Sequence, residues 1–124
     1  MKPILVLGVT GLLGQALLAH GKENGLPIWG ASRGSTDIPL DACVPASLER
    51  TLTALQPGTL INAAGLVDVN RCESNPGEAW QANARLPAIL AETCARHGIQ
   101  LVQVSTDHCF CGDGDTRHTE DAPI

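Results

Sequence analysis

A chain of 124 residues with 44% apolar and 17% charged residues has the composition of a single globular domain, short for a complete two-lobed enzyme. A net charge of −5 without a local cluster of lysine or arginine excludes a basic nucleic-acid footprint. No apolar run is long enough for a secretory signal or a membrane span, so neither a membrane nor a nucleic acid is an expected partner, and the expected location is cytoplasmic.

The apolar run PILVLG (3–8) predicts a strand buried on both faces, ending at Gly8. From Leu12 to about Asn24, Leu13, Ala16 and Leu17 recur at helical spacing, and Gly25 and Pro27 supply a stop. IWGAS (28–32) predicts a second strand. Leu48, Leu52 and Leu55 repeat as a helix face after Pro45, ended by QPG (56–58). TLINAAG (59–65) predicts a third strand. One long helix is then expected from Pro76, with Asn75 as its cap and Glu78 completing a capping box. Ala79, Ala82, Leu86, Ile89, Leu90 and Cys94 form its buried stripe, and Gly98 its stop. IQLVQVS (99–105) predicts a fourth strand, after which the chain is polar through Ile124.

Strands alternating with helices give an α/β fold, a Rossmann-type doubly wound parallel sheet of about four strands with flanking helices. The expected division is a dinucleotide-binding part over 1–111 and a polar tail over 112–124. A fourth strand left without a neighbour would be an open, apolar edge.

The first strand-to-helix turn carries Gly8, Thr10, Gly11 and Gly14. At the carboxyl edge of such a sheet, Gly8 permits a tight exit from the strand. Gly11 lets backbone N–H groups reach a diphosphate at the positive end of a helix, and Gly14 lets that helix pack close. The turn is therefore expected to cradle a dinucleotide. At the end of the second strand, where an acidic residue would take the ribose of NAD, the chain reads Ser32-Arg33. A hydroxyl and a guanidinium suit a 2′-phosphate, so NADP(H) is expected, with NAD(H) second; Asp37 lies past a Gly-Ser turn.

Other constellations carry less. Five cysteines without a CxxC pair fit reduced thiols better than a disulfide framework. His108, Cys109, Cys111 and His118 match no zinc spacing. Asp113, Asp115 and Glu120 fail as a calcium loop, because Arg117 and His118 fall where an oxygen ligand and a glycine are needed. No metal site is expected.

The Gly-x-x-Gly-x-x-Gly spacing resembles the extended short-chain dehydrogenase/reductase superfamily. NAAG (62–65), VNRCESNPGEAWQAN (69–83) and VSTDHCF (104–110) narrow the resemblance to the dTDP-4-dehydrorhamnose reductase family. That resemblance implies that Gly11, Leu12 and Leu13 contact the diphosphate, that Asp41 and Ala42 lie by the adenine, and that Ala63, Ala64 and Gly65 approach the ribose and nicotinamide. It makes Thr106 the hydroxyl of the catalytic triad, and Thr106 with Asp107 the contacts to a nucleotide-sugar substrate. Asn83 aligns with an asparagine common in the superfamily. Pro87 removes the hydrogen bond to its carbonyl, which is expected to point towards the site and hold a water.

Three departures stand out. His108 replaces a common tyrosine, Asn70 replaces an aspartate, and the Tyr-x-x-x-Lys that would protonate the substrate oxygen is missing from a chain with no tyrosine. The expectation is the amino-terminal, cofactor-binding part of an NADPH-dependent reductase acting on the 4-keto group of a nucleotide-linked deoxysugar, inactive alone. The alternative is a non-catalytic NADP(H)-binding regulatory subunit resembling that of methionine adenosyltransferase, with a partner protein or a second copy. An epimerase or dehydratase fits the NPGEAW and STD stretches less well.

Overall fold

A computed structural model describes residues 1–34, 37–110, 112, 114 and 117–123. Five parallel strands form one sheet: β1 (Ile4–Leu7), β2 (Ile28–Ser32), β3 (Ile38–Pro39), β4 (Thr59–Asn62) and β5 (Gln100–Gln103), in the order β3-β2-β1-β4-β5. β1 is central, with Leu7 opposite Ala31 on one side and Asn62 on the other. Chain order reverses between β1 and β4, which creates the crevice at their carboxyl ends where open α/β sheets bind ligands.

The helices are α1 (Leu12–Glu23), α2 (Pro45–Leu55), α3 (Val69–Ser74), α4 (Pro76–Trp80) and α5 (Leu86–His97), with a π-helical segment over Gln81–Arg85 and a 3₁₀ turn over Asp107–Cys109. α1 lies on one face of the sheet, where Leu17 and Leu18 pack on Val6, Val9 and Ile28. The other face holds the main core, with Leu5, Leu7 and Leu60 of the sheet against Leu48 and Leu52 of α2 and Leu86, Leu90 and Cys94 of α5. Leu5, Leu48, Leu60 and Leu90 are each 0% exposed, and full burial of such a side chain stabilises by about 1.5–3 kcal/mol. Arg96 and His97 of α5 both reach Glu49 of α2, fastening the two helices across the surface.

Several elements differ from the sequence expectation, among them α3, a helix over Val69–Ser74 where none was expected ahead of Pro76. The sheet has a fifth strand, β3, too short to show a period of two. The third predicted strand stops at Asn62 rather than Gly65, because Ala63–Gly65 turn across the end of β1. The long helix is divided. Leu86 N–H donates to the carbonyl of Gln81, five residues back, and the widened turn accommodates Pro87, which has no N–H and a ring that clashes with the preceding turn. Of its stripe Leu86, Leu90 and Cys94 are buried, while Ala79, Ala82 and Ile89 are half-buried.

The caps differ as well. Asn75 does not cap α4 with its side chain, which donates instead to Ser74 Oγ at 3.1 Å. Asp68 is the capping side chain here, accepting from Arg71 N–H at 3.0 Å at the start of α3.

β5 forms the sheet edge next to β4, and Val102 and Val104 there are 41% and 40% exposed.

Candidate functional site

The site begins with three glycines whose roles separate on the coordinates. Gly8 has φ +79°, and a Cβ there would lie 2.6 Å from Ala64 N and 2.7 Å from the Ala63 carbonyl carbon. Both the left-handed backbone and the close approach of the β4 turn require glycine. At Gly14 a Cβ would collide with the Gly8 carbonyl oxygen and lie 2.8 Å from Val9 Cα, so α1 docks on the strand exit only because that position is bare. Gly11 is the N-cap of α1, with no side chain satisfying the first turn. Its own N–H goes to Gly8 O at 3.0 Å. The first-turn N–H groups of Leu12, Leu13 and Gly14 are thus presented at the positive end of a 12-residue helix. Leu12 itself is 91% exposed.

A cavity of about 370 Å³ opens in front of this turn. Of the residues expected to hold a dinucleotide, Gly8, Thr10, Gly11, Ser32, Arg33, Asp41, Ala42, Ala63, Ala64 and Gly65 all line it. Leu12, Leu13, Gly14, Asn83 and Thr106 do not contribute to its wall.

The carboxyl end of β2 supplies Ser32 and Arg33. Ser32 Oγ accepts from Gly34 N–H at 3.2 Å, while Arg33 has no hydrogen-bond or ion-pair partner among the described residues. Asp37, the acidic residue nearest in sequence, is engaged elsewhere. Its carboxylate accepts from Gly30 N–H at 3.0 Å and pairs with Lys22 at 3.0 Å. Those two contacts, the backbone N–H foremost, hold its carboxyl below the usual carboxylate range. Asp41 accepts from Cys43 N–H at 3.0 Å, forming a local turn at the cavity wall. Burial, with Asp41 adding to it, pushes the Cys43 thiol up and keeps it protonated at neutral pH.

The opposite wall is the Ala63–Leu66 turn, and two side chains shape it: Asn62, which was not anticipated, and Asn83, which was expected at the site but acts from outside the cavity wall. Asn62, 0% exposed, accepts from Ala64 N–H at 3.1 Å and donates to Gln103 Oε1 at 2.9 Å. It fixes the turn and ties the carboxyl ends of β4 and β5. Asn83, from the π-helical segment, clamps Leu66 by both backbone groups, accepting from its N–H at 2.8 Å and donating to its carbonyl at 2.9 Å. The side chain of Asn83 thus holds the cavity loop. Arg71 of α3 and Glu78 of α4, also not anticipated, line the cavity as an ion pair, with Nε donating to Oε2 at 3.0 Å and Nη2 to Oε1. The Glu78 carboxylate expected to close a capping box is in that pair instead.

Thr106 follows β5. Its hydroxyl accepts from His108 N–H at 3.2 Å and its carbonyl accepts from Cys109 Sγ at 3.0 Å, opening the 3₁₀ turn. The Asp107 side chain and residues 111, 113, 115 and 116 lie outside the described residues, and the rejected zinc and calcium readings fall partly on them. Among the described residues no group of three His, Cys, Asp or Glu side chains is placed to hold a metal, and no helix is long and apolar enough to cross a membrane.

The fold has known counterparts. The chain matches the family model described as the RmlD substrate binding domain over residues 1–124. It is 33% identical over 119 residues to a dTDP-4-dehydrorhamnose reductase of Streptomyces griseus, covering 96% of this chain and 38% of that protein. The crystal structure of a dTDP-4-dehydrorhamnose reductase from Clostridium acetobutylicum superposes with a TM-score of 0.88 at 26% identity, over 99% of this chain and 42% of that one. A dTDP-4-dehydrorhamnose reductase of Bacillus anthracis, solved in complex with NADP, shares the fold at a TM-score of 0.82 and 24% identity, over 93% of this chain and 40% of that one. The chain therefore spans about two-fifths of the length of such relatives. By the match of its whole length and by its identity to these reductases, the chain belongs to the RmlD family.

Proposed function

We propose that residues 1–111 hold the cofactor of an NADPH-dependent reductase acting on the 4-keto group of a nucleotide-linked deoxysugar, with 112–124 a polar tail. The observation that carries the reading is the cavity in front of the glycine turn: an uncapped helix N-terminus on one side and, on the other, an Arg33 that has no partner among the described residues. A dinucleotide phosphate fits that pair of features, and a Cβ at Gly8 would close the turn that forms them. When bound, the cofactor supplies the hydride.

The chain's own residues bind and orient. N–H groups of the first turn of α1 take the diphosphate, Arg33 and Ser32 take the 2′-phosphate, and Asp41 with Ala42 borders the adenine. Ala63, Ala64 and Gly65 support the nicotinamide end, where the Asn62 and Asn83 hydrogen bonds keep the turn in place. Thr106, with Asp107, stands at the next strand end to meet the nucleotide sugar and orient its carbonyl. The proton for the resulting alkoxide comes from no tyrosine of these 124 residues, and a missing general acid costs about 10²–10⁴ in rate. The chain alone is expected to bind cofactor and not to turn over. A second reading, a non-catalytic NADP(H)-binding subunit for a partner protein, rests on His108 following Asp107.

Calorimetric titration of the chain with NADPH and NADH tests the proposal. NADPH is expected to bind more tightly, and Arg33→Gln to narrow the gap by about tenfold, the effect of one charge-assisted phosphate contact. A folded chain that binds neither dinucleotide overturns it.

A further inference from the structure

We propose that Arg71 is an anion-binding residue of the cavity held in reserve by Glu78, and that a phosphate of a nucleotide ligand takes the place of Glu78 on its guanidinium. The inference rests on the function proposed above and concerns the wall opposite Arg33. Among the described residues lining the cavity, Arg33 and Arg71 are the cations, one beyond β2 and the other beyond the β4 turn. Arg33 has no partner among the described residues, whereas Arg71 presents two of its donors to Glu78 in a side-by-side pair. A guanidinium fork fits a carboxylate and a phosphate with the same geometry, so the two anions are interchangeable occupants.

Three observations say that the exchange is easy and directed. The side chains are 55% and 43% exposed, so the pair is screened by water and weak. Among the described residues the Glu78 carboxylate bonds Arg71 alone, so releasing Arg71 breaks no second contact of that carboxylate. A bare carboxylate in a cavity that receives phosphates would repel them, and Arg71 neutralises it until a stronger anion arrives. Arg71 itself is held by its backbone, whose N–H donates to Asp68 at 3.0 Å, so the guanidinium can turn from Glu78 without unwinding α3.

Two ligands bring the same chemistry, the dinucleotide cofactor and the nucleotide-sugar substrate, and separate titrations with NADPH and with dTDP distinguish them. Glu78→Gln is expected to tighten the phosphate ligand about two- to fivefold, the equivalent of freeing one half-exposed pair. Arg71→Gln is expected to weaken the same ligand, Arg71→Lys to recover part of the loss, and the Arg71→Gln/Glu78→Gln double variant to bind more tightly than Arg71→Gln, which leaves Glu78 bare, but more weakly than Glu78→Gln, which keeps the guanidinium. Opposite signs for the two single variants are the signature, since a pair that merely fastened α3 to α4 would weaken binding from either side. The ligand that responds identifies the source of the phosphate. Wild-type binding of NADPH with Glu78→Gln no tighter for either ligand overturns this inference alone. A wild-type chain that binds neither ligand overturns the functional reading and this one with it.

Discussion

Two strand ends on the same edge of the sheet are built to different standards. At the end of β1, backbone meets backbone: Gly8 abuts the Ala63–Ala64 peptide, Gly14 abuts Gly8, and no side chain could be added at either without displacing main chain. At the end of β5, Thr106 is exposed and held by a local turn through His108 and Cys109. The first arrangement presents N–H groups in a fixed array, which is what recognition of a diphosphate requires. The second holds a hydroxyl in a turn of its own chain, with His108 N–H donating to it. The proposed diphosphate geometry is therefore set by tertiary packing, whereas the described contacts of the proposed substrate-facing group lie in the turn that follows β5.

The sharpest way to break the contrast is Gly8→Ala. A positive φ costs an alanine about 1–2 kcal/mol, and the overpacked contact with Ala63 and Ala64 about 1–3 kcal/mol more, so a large fall in Tm and loss of NADPH binding are expected together. Thermal unfolding and calorimetry of the same variant read both. An unchanged Tm would mean that the turn is not locked as described.

Next in size is Asn62→Ala, which leaves Ala64 N–H and Gln103 Oε1 without their shared partner. A loss of about 1–3 kcal/mol in denaturant unfolding is expected, with weaker dinucleotide binding because the turn loosens. Retained affinity at reduced stability would show that the turn is held by Asn83 alone.

A smaller effect concerns acid. Asp37 has a carboxyl held below its ordinary value, so its contribution is present above the unfolded-state range near pH 4. That contribution is lost as pH falls through the lower folded value. Asp37→Asn should therefore cost stability at pH 7, by no more than about 1 kcal/mol for so exposed a pair, and converge with wild type in strong acid. A constant difference across the titration would assign the loss to packing.

The smallest expectation is for Thr106→Val. It contributes nothing to the cavity wall, so NADPH affinity should be unchanged and stability should move by less than about 0.5 kcal/mol. A clear loss of cofactor affinity would show that the two strand ends act as one site.

What could be read from the sequence follows the same division. β2 and α2 fall where IWGAS and the leucine repeat after Pro45 place them, and α1 ends within a residue of the expected Asn24. The cavity wall gathers the glycine turn, Ser32-Arg33, Asp41-Ala42 and Ala63–Gly65 because each is a strand end or follows one; the ends of β1, β2 and β4 are visible as apolar runs meeting small residues, whereas Asp41-Ala42 and the roles of Ala63–Gly65 come from the family resemblance. Arg71 and Glu78 escaped because they are seven residues apart on different helices, and nothing local distinguishes a paired carboxylate from a capping one. β3 escaped because two residues show no periodicity. Asn83 was legible as a position but not as a contact, since its partner Leu66 is reached only through the widened turn.

That widened turn has a consequence for how the chain can change. An α-helix advances by about 100° per residue, so the π segment acts as a phase shift between the half facing the cavity and the half facing the core. Removing a single residue from Gln81–Arg85 would leave α5 seated by Leu86, Leu90 and Cys94. Everything upstream would swing about a quarter of a revolution, taking Asn83 off Leu66 and Glu78 off Arg71. Point substitutions in this stretch are expected to be mild, whereas changes of length should be intolerable, and a library of one-residue deletions across 76–97 would trace the boundary.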